Sequence, residues 1–223
     1  MTKTFLRGAV LAASLALAGA PAFAAQPFSA PYLANYMGMK ATGRIAIEPA
    51  GAGQWRYTLE IRNQLADLVQ TTVFDEEGGV LRPLSGTDSN KLLIKKSNKK
   101  ANYDWSRGVA TWSGDVKPDR AGPVKLQRGD LDALLVNVAI ARDAIAGKPL
   151  RYHMVENGKA RDLTYAIAGK EAIMVNGKSQ QATKVVSTSG DKKTTLWVVP
   201  GVPVPVRIMQ VNDGDTIDLR IAQ

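Results

Sequence analysis

Hydrophobic and polar positions alternate over much of this chain, and that pattern predicts β-strands as the main secondary structure. The alternation is cleanest in residues 54–62 and returns in residues 216–221. A period of two residues is typical of a strand with one buried and one solvated face. Asn-Gly turns at 157–158 and 176–177 and an Asp-Gly turn at 213–214 punctuate the second half of the chain. Such turns join neighbouring antiparallel strands, so antiparallel order is predicted.

A helix is predicted over residues 130–147. Its apolar positions recur every three or four residues, which is the period of an amphipathic helix. We expect Asp130 to be the N-cap, and Gly147 with Pro149 to end the helix. The helix is expected to bury an apolar stripe made of Leu131, Leu134, Leu135, Val138 and Ile145. The polar side chains expected to stay in solvent are Asp132, Asn137 and Asp143.

The number of alternating segments sets the predicted architecture. They amount to about eleven to thirteen strands around one helix, and a twisted sheet of that width curls or splits. We therefore predict a mainly β fold, namely a strongly curved antiparallel sheet or incomplete β-barrel with one long helix packed on its concave face. A two-sheet sandwich with a peripheral helix is the alternative.

The N-terminal residues 1–24 are predicted to be a cleavable signal peptide. Lys3 and Arg7 precede a run of small apolar residues at 8–20, and Ala-Phe-Ala at 22–24 supplies an A-x-A cleavage site. No later apolar run approaches the roughly 20 residues that span a bilayer, so no transmembrane segment is expected after cleavage.

The rest of the chain is expected to be one domain outside the cytoplasm. Residues 25–31 are predicted to form a flexible lead, and residues 32–223 a single β-rich domain. The sequence contains no cysteine, which excludes disulfides, thiolate metal sites and a lipid-modified cysteine. Export without disulfides is typical of bacterial periplasmic proteins, so a periplasmic location is predicted.

No catalytic, metal or cofactor signature is recognisable. His153 is the only histidine, which excludes metal sites built on two histidines and weakens serine mechanisms that need an imidazole base. Nucleoside-binding glycine loops and nucleophile elbows are absent. We therefore expect no catalytic residue, no metal and no cofactor, and we favour a binding protein over an enzyme. Nucleic acid is not an expected partner of an exported protein.

A ligand-binding cleft is hypothesised from the aromatic residues and the helix. Tyr103, Trp105 and Trp112 lie in a predicted hairpin that could form one wall, and Leu134 and Leu135 on the helix could form another. Core packing is the alternative explanation for the aromatic rings. In the first hypothesis the protein shelters an apolar small molecule or lipid between the curved sheet and the helix.

A basic segment supports a second hypothesis. The net charge of the chain is +9, and residues 91–100 are rich in lysine. In this hypothesis the protein is a structural or assembly partner in the cell envelope, where an anionic surface or an envelope protein contacts Lys95, Lys96, Lys99 and Lys100. The alternative is that these lysines protect an edge strand or decorate a loop.

Several short segments, taken in order, resemble the domain of unknown function 3108 family. They are Tyr-Leu-Ala-Asn-Tyr at 32–36, Lys-Ala-Thr-Gly at 40–43, Val-Leu-Arg-Pro-Leu at 80–84, Tyr-Asp-Trp at 103–105, Gly-Val at 108–109, the helix opening at Asp130, Leu-Trp-Val at 196–198 and Val-Pro-Val-Arg-Ile at 204–208. The resemblance departs at Asp132-Ala133, where a small polar residue such as serine is expected. It implies an exported protein of a Gram-negative bacterium with a mainly β fold, and it implies no activity.

Overall fold

The structure is a computed structural model and describes residues 25–36 and 38–222. Within these residues it contains fifteen strands, one α-helix and one 3-10 helix at Pro118–Arg120. The first eight strands are β1 (Phe28–Tyr36), β2 (Met39–Gly51), β3 (Gln54–Arg62), β4 (Ala66–Glu77), β5 (Val80–Leu92), β6 (Lys95–Asp104), β7 (Val109–Gly114) and β8 (Val124–Lys125). After them come α1 (Ala133–Ile145), β9 (Arg151–Glu156), β10 (Lys159–Thr164), β11 (Ala166–Val175), β12 (Lys178–Ser189), β13 (Lys192–Val198), β14 (Arg207–Asn212) and β15 (Asp215–Ile221).

Thirteen of these strands form one sheet in the order β11-β12-β13-β14-β15-β1-β2-β3-β4-β5-β6-β7-β8. The chain runs mostly from neighbour to neighbour, and the pairing of β1 with β15 joins the first strand to the last. All neighbouring strands are antiparallel. The sheet is not closed into a barrel, because β11 and β8 end the order. The predicted antiparallel sheet is confirmed.

The contacts of α1 require the sheet to curve strongly. The helix packs against β12 and β13 and also against β4 and β5. In the sheet order β13 and β4 are six positions apart, which is about 29 Å across a flat sheet, whereas a helix is only about 10 Å wide. One helix can touch both pairs of strands only if the sheet bends around it. The predicted placement of the helix on the concave face is confirmed.

A separate hairpin of β9 and β10 lies beside the helix and links the two halves of the sheet. On one side, the Tyr103 hydroxyl of β6 donates a hydrogen bond of 3.1 Å to the carbonyl of Val155 in β9. On the other side, the Ser187 hydroxyl of β12 donates to the carbonyl of Thr164 in β10 at 2.7 Å. The hairpin therefore helps to hold the curved sheet around the helix.

The main core lies between α1 and the inner face of the sheet. Its largest fully buried side chains include Tyr32 and Phe74 from the sheet and Leu135 and Ile140 from the helix. A smaller cluster of Tyr103, Ala110, Trp112, Leu126 and Val155 packs under β6 and β7. Most apolar positions predicted from alternation therefore face one of these two clusters.

The helix is shorter than predicted, and its start differs from the prediction. It begins after Asp132, which is the N-cap in place of Asp130. Its end is as predicted, because Gly147 follows the C-cap Ala146 with a φ of 66°. Asp132 and Asp143 are buried, whereas Ile145 is 42% exposed, so three residues were assigned to the wrong environment. The reason is tertiary: strands from both halves of the sheet surround the helix and cover faces that its own pattern marks as polar.

Two further predictions need correction. β1 begins at Phe28, so part of the segment predicted as a flexible lead is strand paired with β2. β6 is not an edge strand, because it lies between β5 and β7. Its pairing with β7 starts only at Lys99, however, so Lys95 and Lys96 have a strand neighbour on one side alone. The predicted signal peptide at 1–24 lies outside the described residues.

No helix in the described part of the chain is long and apolar enough to cross a membrane.

Candidate functional site

A cleft opens where the N-terminus of α1 meets β4, β5 and β6, and its cavity volume is about 40 Å³. We call it the helix N-terminal cleft. It is lined by Gln70, Thr71, Thr72, Gly86, Thr87, Asp88, Lys99, Lys100, Ala101, Tyr103, Trp112, Asp132, Ala133, Leu134, Glu156 and Asn157. Most of these residues are polar, although the cleft borders the buried core of the protein.

Asp132 forms part of the floor of the cleft and is 4% exposed. One of its carboxylate oxygens accepts a hydrogen bond of 2.9 Å from the backbone N–H of Leu135, as expected of an N-cap. The other accepts a hydrogen bond from the Thr72 hydroxyl of β4. Burial raises the pKa of Asp132, and these two hydrogen bonds oppose that rise. Both oxygens of this carboxyl are thus occupied by the protein.

Glu156, the last residue of β9, is the second acid of the cleft. Its Oε2 accepts a hydrogen bond of 2.7 Å from the backbone N–H of Ala133, the first residue of α1. Burial and then the charge of Asp132 raise the pKa of Glu156 to about 7, against the opposing effects of the Ala133 hydrogen bond and Arg161. Two acids therefore share the first turn of one helix, where the helix dipole favours negative charge.

The second carboxyl oxygen of Glu156 is the chemically available group. Among residues 25–36 and 38–222, no side chain or backbone N–H donates a hydrogen bond to it, and the side chain lines the cleft. With a pKa of about 7, this carboxyl exchanges a proton near neutral pH. It can accept a hydrogen bond from a ligand when ionised and donate one when protonated.

Two lysines extend the polar surface of the cleft. Lys99 and Lys100 lie on β6, and the Nζ atom of Lys99 is 3.8 Å from a carboxylate oxygen of Asp88 on the paired strand β5. Because successive side chains of a strand point to opposite faces, only Lys99 lies on the same face of β6 as Tyr103. The cleft thus presents acids at the helix terminus and one cation from the sheet. A small ligand that carries both a hydrogen-bond donor and an anionic or acceptor group matches this distribution.

The aromatic residues Tyr103 and Trp112 form a packed wall. Their rings meet edge to face with centroids 6.1 Å apart, and the side chains are only 4% and 6% exposed. The Tyr103 hydroxyl is already bonded to β9 through Val155. The Tyr103 hydroxyl therefore helps to fix the position of β9, and the two rings pack against each other with little area left for a ligand.

A family model described as a protein of unknown function, DUF3108, matches residues 31–220, which is most of the chain. The chain belongs to the DUF3108 family. This confirms the resemblance seen in the sequence. A comparison with curated proteins finds no match. Because the family description names no activity, the function of this DUF3108 protein has to be argued from the cleft.

The structure brings together only some of the residues predicted to bind a ligand in this DUF3108 protein. Tyr103, Trp112 and Leu134 line the cleft, but Leu135 is fully buried in the core and Trp105 lies elsewhere. The Trp105 indole N–H donates to the carbonyl of Pro83 at 2.6 Å, which holds the ring just beyond the last residue of β6.

Trp105 instead borders a second depression, which is lined by Glu77, Val80, Arg82, Trp105, Arg128 and Gly129. The guanidinium carbon of Arg82 lies 5.9 Å from the centre of the Trp105 ring. Arg82 is also paired with Asp75 and Glu77, both at 2.7 Å. Its charge is therefore neutralised within the protein, and we assign no ligand to this depression.

The four lysines predicted as one anionic contact surface fall into two groups. Lys99 and Lys100 line the cleft, whereas Lys95 and Lys96 are exposed near the β5–β6 turn. The two groups are separated because Lys95 and Lys99 are four residues apart on β6. At about 3.3 Å per residue, this spacing corresponds to about 13 Å along the strand.

The cleft also contains Thr72, Asp132 and Glu156, which were not predicted from the sequence as site residues. The spacing of Asp132 and Leu135 matches an N-cap and its N3 residue, but Asp130 offers a similar match two residues earlier. Asp130 has another role, because it accepts from the backbone N–H of Gln127 at 2.7 Å and lies 2.6 Å from Nδ1 of His153. No local pattern marks Glu156, because its burial depends on how β9 packs against α1.

In the described part of the chain, no group of three or more histidine, aspartate or glutamate side chains could hold a metal ion.

Proposed function

We propose that this DUF3108 protein is a periplasmic binding domain that holds a small envelope-derived ligand in the helix N-terminal cleft without converting it. The observation that carries this proposal is the Glu156 carboxyl, which lies in the cleft with one oxygen bonded to the helix and the other available. A partly buried ionisable group whose pKa is shifted towards neutrality by burial and by a specific neighbour is a feature of functional sites.

The cleft favours a polar ligand or the polar end of a larger one. A hydroxyl or amine of the ligand would donate to Glu156, and an acceptor or anionic group would face Lys99. The space inside the cleft suits about three water molecules, so a compact end group fits it better than a whole lipid. Leu134 provides an apolar contact beside these polar groups.

The surroundings of the cleft support binding rather than catalysis. The Thr72 hydroxyl is engaged by Asp132 as part of the helix cap, so it is not poised as a nucleophile. His153 contacts Asp130 and is not among the residues that line the cleft. The proposal therefore needs no cofactor and no catalytic residue.

Export rests on the sequence. Residues 1–24 carry the basic start, the apolar run and the A-x-A site of a signal peptide. The absence of cysteine fits the periplasm of a bacterium. In that compartment, envelope-derived molecules are the ligands that the cleft would meet.

Native mass spectrometry of the protein purified from a periplasmic fraction, followed by organic extraction of what accompanies it, tests the proposal. We expect a polypeptide mass that corresponds to cleavage after Ala24 and a second species with a discrete added mass. Glu156→Gln should remove most of the added mass, because it deletes the negative charge while keeping an oxygen for the Ala133 N–H.

The matched control is Glu48→Gln, which makes the same change at an exposed position far from the cleft. It should retain the added mass of the wild-type protein. Equal occupancy in folded Glu156→Gln and wild-type protein would contradict binding through this carboxyl.

A further inference from the structure

Large exposed apolar side chains gather at one end of the sheet, at the tips of three neighbouring hairpins. The clearest are Leu92, Leu93 and Ile94 at the β5–β6 turn, where Ile94 is 95% exposed. Leu65 at the β3–β4 turn is 49% exposed, and Met39 at the β1–β2 turn is 45% exposed. Because the strands are antiparallel, these three turns lie at the same end of the sheet. We call residues 36, 38–40, 62–67 and 91–96 the upper rim.

Hydrogen bonds join the three tips into one surface. The backbone N–H of Leu93 donates to the carbonyl of Leu65 at 2.8 Å, which links the second and third tips. The side-chain amide of Asn63 donates to the carbonyl of Lys40 at 3.4 Å, which links the second tip to the first. The apolar side chains of the upper rim are therefore neighbours.

Leu93 adopts a backbone conformation that leucine does not favour in a turn. Leu93 and Ile94 form a two-residue hairpin loop between the paired residues Leu92 and Lys95. Leu93 has a φ of 52°, in the left-handed region that favours glycine or asparagine. A leucine here costs conformational energy and gains little from burial, since it is 61% exposed. Its apolar side chain therefore points to a role outside folding.

Positive charge surrounds this apolar surface. The upper rim contains five basic side chains, those of Lys40, Arg62, Lys91, Lys95 and Lys96. Its one carboxylate, Asp67, is already paired with Arg62 at 3.0 Å. The turn between β14 and β15 lies at the same end but carries Asp213 and Asp215, so the basic surface ends at β1.

We propose that the upper rim docks the protein on an anionic lipid bilayer, with Leu93 and Ile94 inserted among the headgroups. Apolar groups of peripheral proteins enter the headgroup region by about 5–10 Å. With a rise of about 3.3 Å per residue, Lys91, Lys95 and Lys96 lie within about 10 Å of the tip, at the level of the lipid phosphates. Apolar insertion and phosphate contact then act together.

This docking surface is separate from the proposed ligand site. Lys99 and Lys100 of the cleft are five and six residues from Ile94, which corresponds to about 16–20 Å along the strand. Docking through the upper rim therefore leaves the cleft uncovered. The inference concerns membrane attachment and does not depend on what the cleft binds.

Vesicle flotation with the full mature protein tests the docking surface. We expect the protein to float with vesicles of equal parts phosphatidylglycerol and phosphatidylcholine, and to float weakly with pure phosphatidylcholine. Binding should fall as salt rises, because salt screens the lysine–phosphate attraction. Equal flotation with both vesicle types, unaffected by salt, would overturn the proposal.

The double substitution Leu93→Asn and Ile94→Gly tests insertion. It supplies a favoured turn sequence, so folding should be preserved while vesicle affinity falls at least tenfold through loss of two apolar side chains. The control is Met174→Ser, which removes an exposed apolar side chain near the opposite end of the sheet and should leave affinity unchanged. Wild-type affinity in the folded double variant would overturn the proposal.

The lysines are tested by replacing Lys91, Lys95 and Lys96 with glutamine. Affinity for the anionic vesicles should fall about fivefold per lysine. The same change at the exposed residues Lys148, Lys170 and Lys178 keeps the overall charge change and should have a much smaller effect. If the two triple variants lose affinity equally, the specific surface is wrong. Sedimentation without lipid adds a further outcome: a dimer abolished by the tip substitution would assign the rim to a second copy and overturn the proposal.

Discussion

The helix N-terminal cleft buries charged side chains, whereas the upper rim exposes apolar ones. In the cleft, Asp132 is 4% exposed and has hydrogen-bond partners for both carboxyl oxygens. At the rim, Ile94 is 95% exposed and follows Leu93, whose positive φ is unfavourable for a leucine. Buried polar groups and exposed apolar patches are the two departures from ordinary burial that carry information.

The two regions also differ in how they are built. The cleft combines side chains from β4, β9 and the start of α1, which are far apart in the chain. The rim is built from short turns between consecutive strands. Because the helix N-terminal cleft depends on the whole fold, substitutions of its residues should change the free energy of unfolding. Substitutions at the rim should alter interactions with little effect on stability.

The largest expected effect is a difference in the free energy of unfolding between a substitution in the core below the cleft and one at the rim. Leu135→Ala should lower the free energy of unfolding by about 2–5 kcal/mol, because the side chain is fully buried. Ile94→Ala should change it by no more than about 0.5 kcal/mol. Urea denaturation followed by tryptophan fluorescence measures both. Similar losses in the two variants would break the distinction between the buried core beneath the cleft and the exposed rim.

A smaller effect is expected at the helix cap. Asp132→Ala should destabilise the protein by about 1–2 kcal/mol, because the N–H of Leu135 and the hydroxyl of Thr72 lose their acceptor. Asp132→Ser should recover much of this loss, since serine is also a good N-cap. Urea midpoints at pH 7 check the prediction. An alanine variant as stable as the wild type would show that the cap contributes nothing.

Stability should also depend on pH through Glu156. The folded protein keeps the proton on this carboxyl up to about pH 7, whereas the unfolded chain releases it near the ordinary value of 4.5. The resulting stabilisation is complete below pH 4.5 and is lost as pH rises to 7, by at most about 1.4 kcal/mol per pH unit.

Urea unfolding of wild-type and Glu156→Gln protein across this range measures the effect. The variant should show a shallower decline, with the remaining part due to Asp132 and Glu76, whose pKa values burial raises in the same direction. Identical pH profiles would mean that Glu156 titrates normally in the folded protein.

The smallest predicted effect is a gain in stability at the rim. Leu93→Asn should raise the free energy of unfolding by about 1 kcal/mol, because asparagine tolerates a positive φ better than leucine. Leu92→Asn, at a neighbouring exposed position that is part of β5, is the control and should bring no such gain. Thermal unfolding checks both. A destabilised Leu93→Asn variant would show that the leucine serves folding after all.

The general fold could be predicted because its signals are local. Alternation in segments such as 54–62 and the turns of the second half of the chain point to an antiparallel sheet. The apolar stripe of residues 130–147 locates a helix that needs a surface to cover. A wide twisted sheet and a single helix then leave few arrangements, and the curved sheet is one of them.

The cleft could not be predicted because it depends on contacts across the sheet. Asp132 and Asp130 are both suitable caps, and the hydroxyl of Thr72 in β4 meets only Asp132. Leu135 faces the core rather than the cleft because the sheet curves around the helix. The rim could not be predicted for a different reason: its β5–β6 turn has no glycine, asparagine or proline between Leu92 and Lys95 to mark it.

A crystal structure of the protein purified from the periplasm, determined without removing its co-purified compound, tests the binding proposal most directly. The proposal predicts density for a compact polar group in the helix N-terminal cleft, within hydrogen-bond distance of the second carboxyl oxygen of Glu156. The same crystals are dissolved and their protein is analysed by mass spectrometry. If the mass shows a bound compound but the cleft holds only water, the proposal is contradicted.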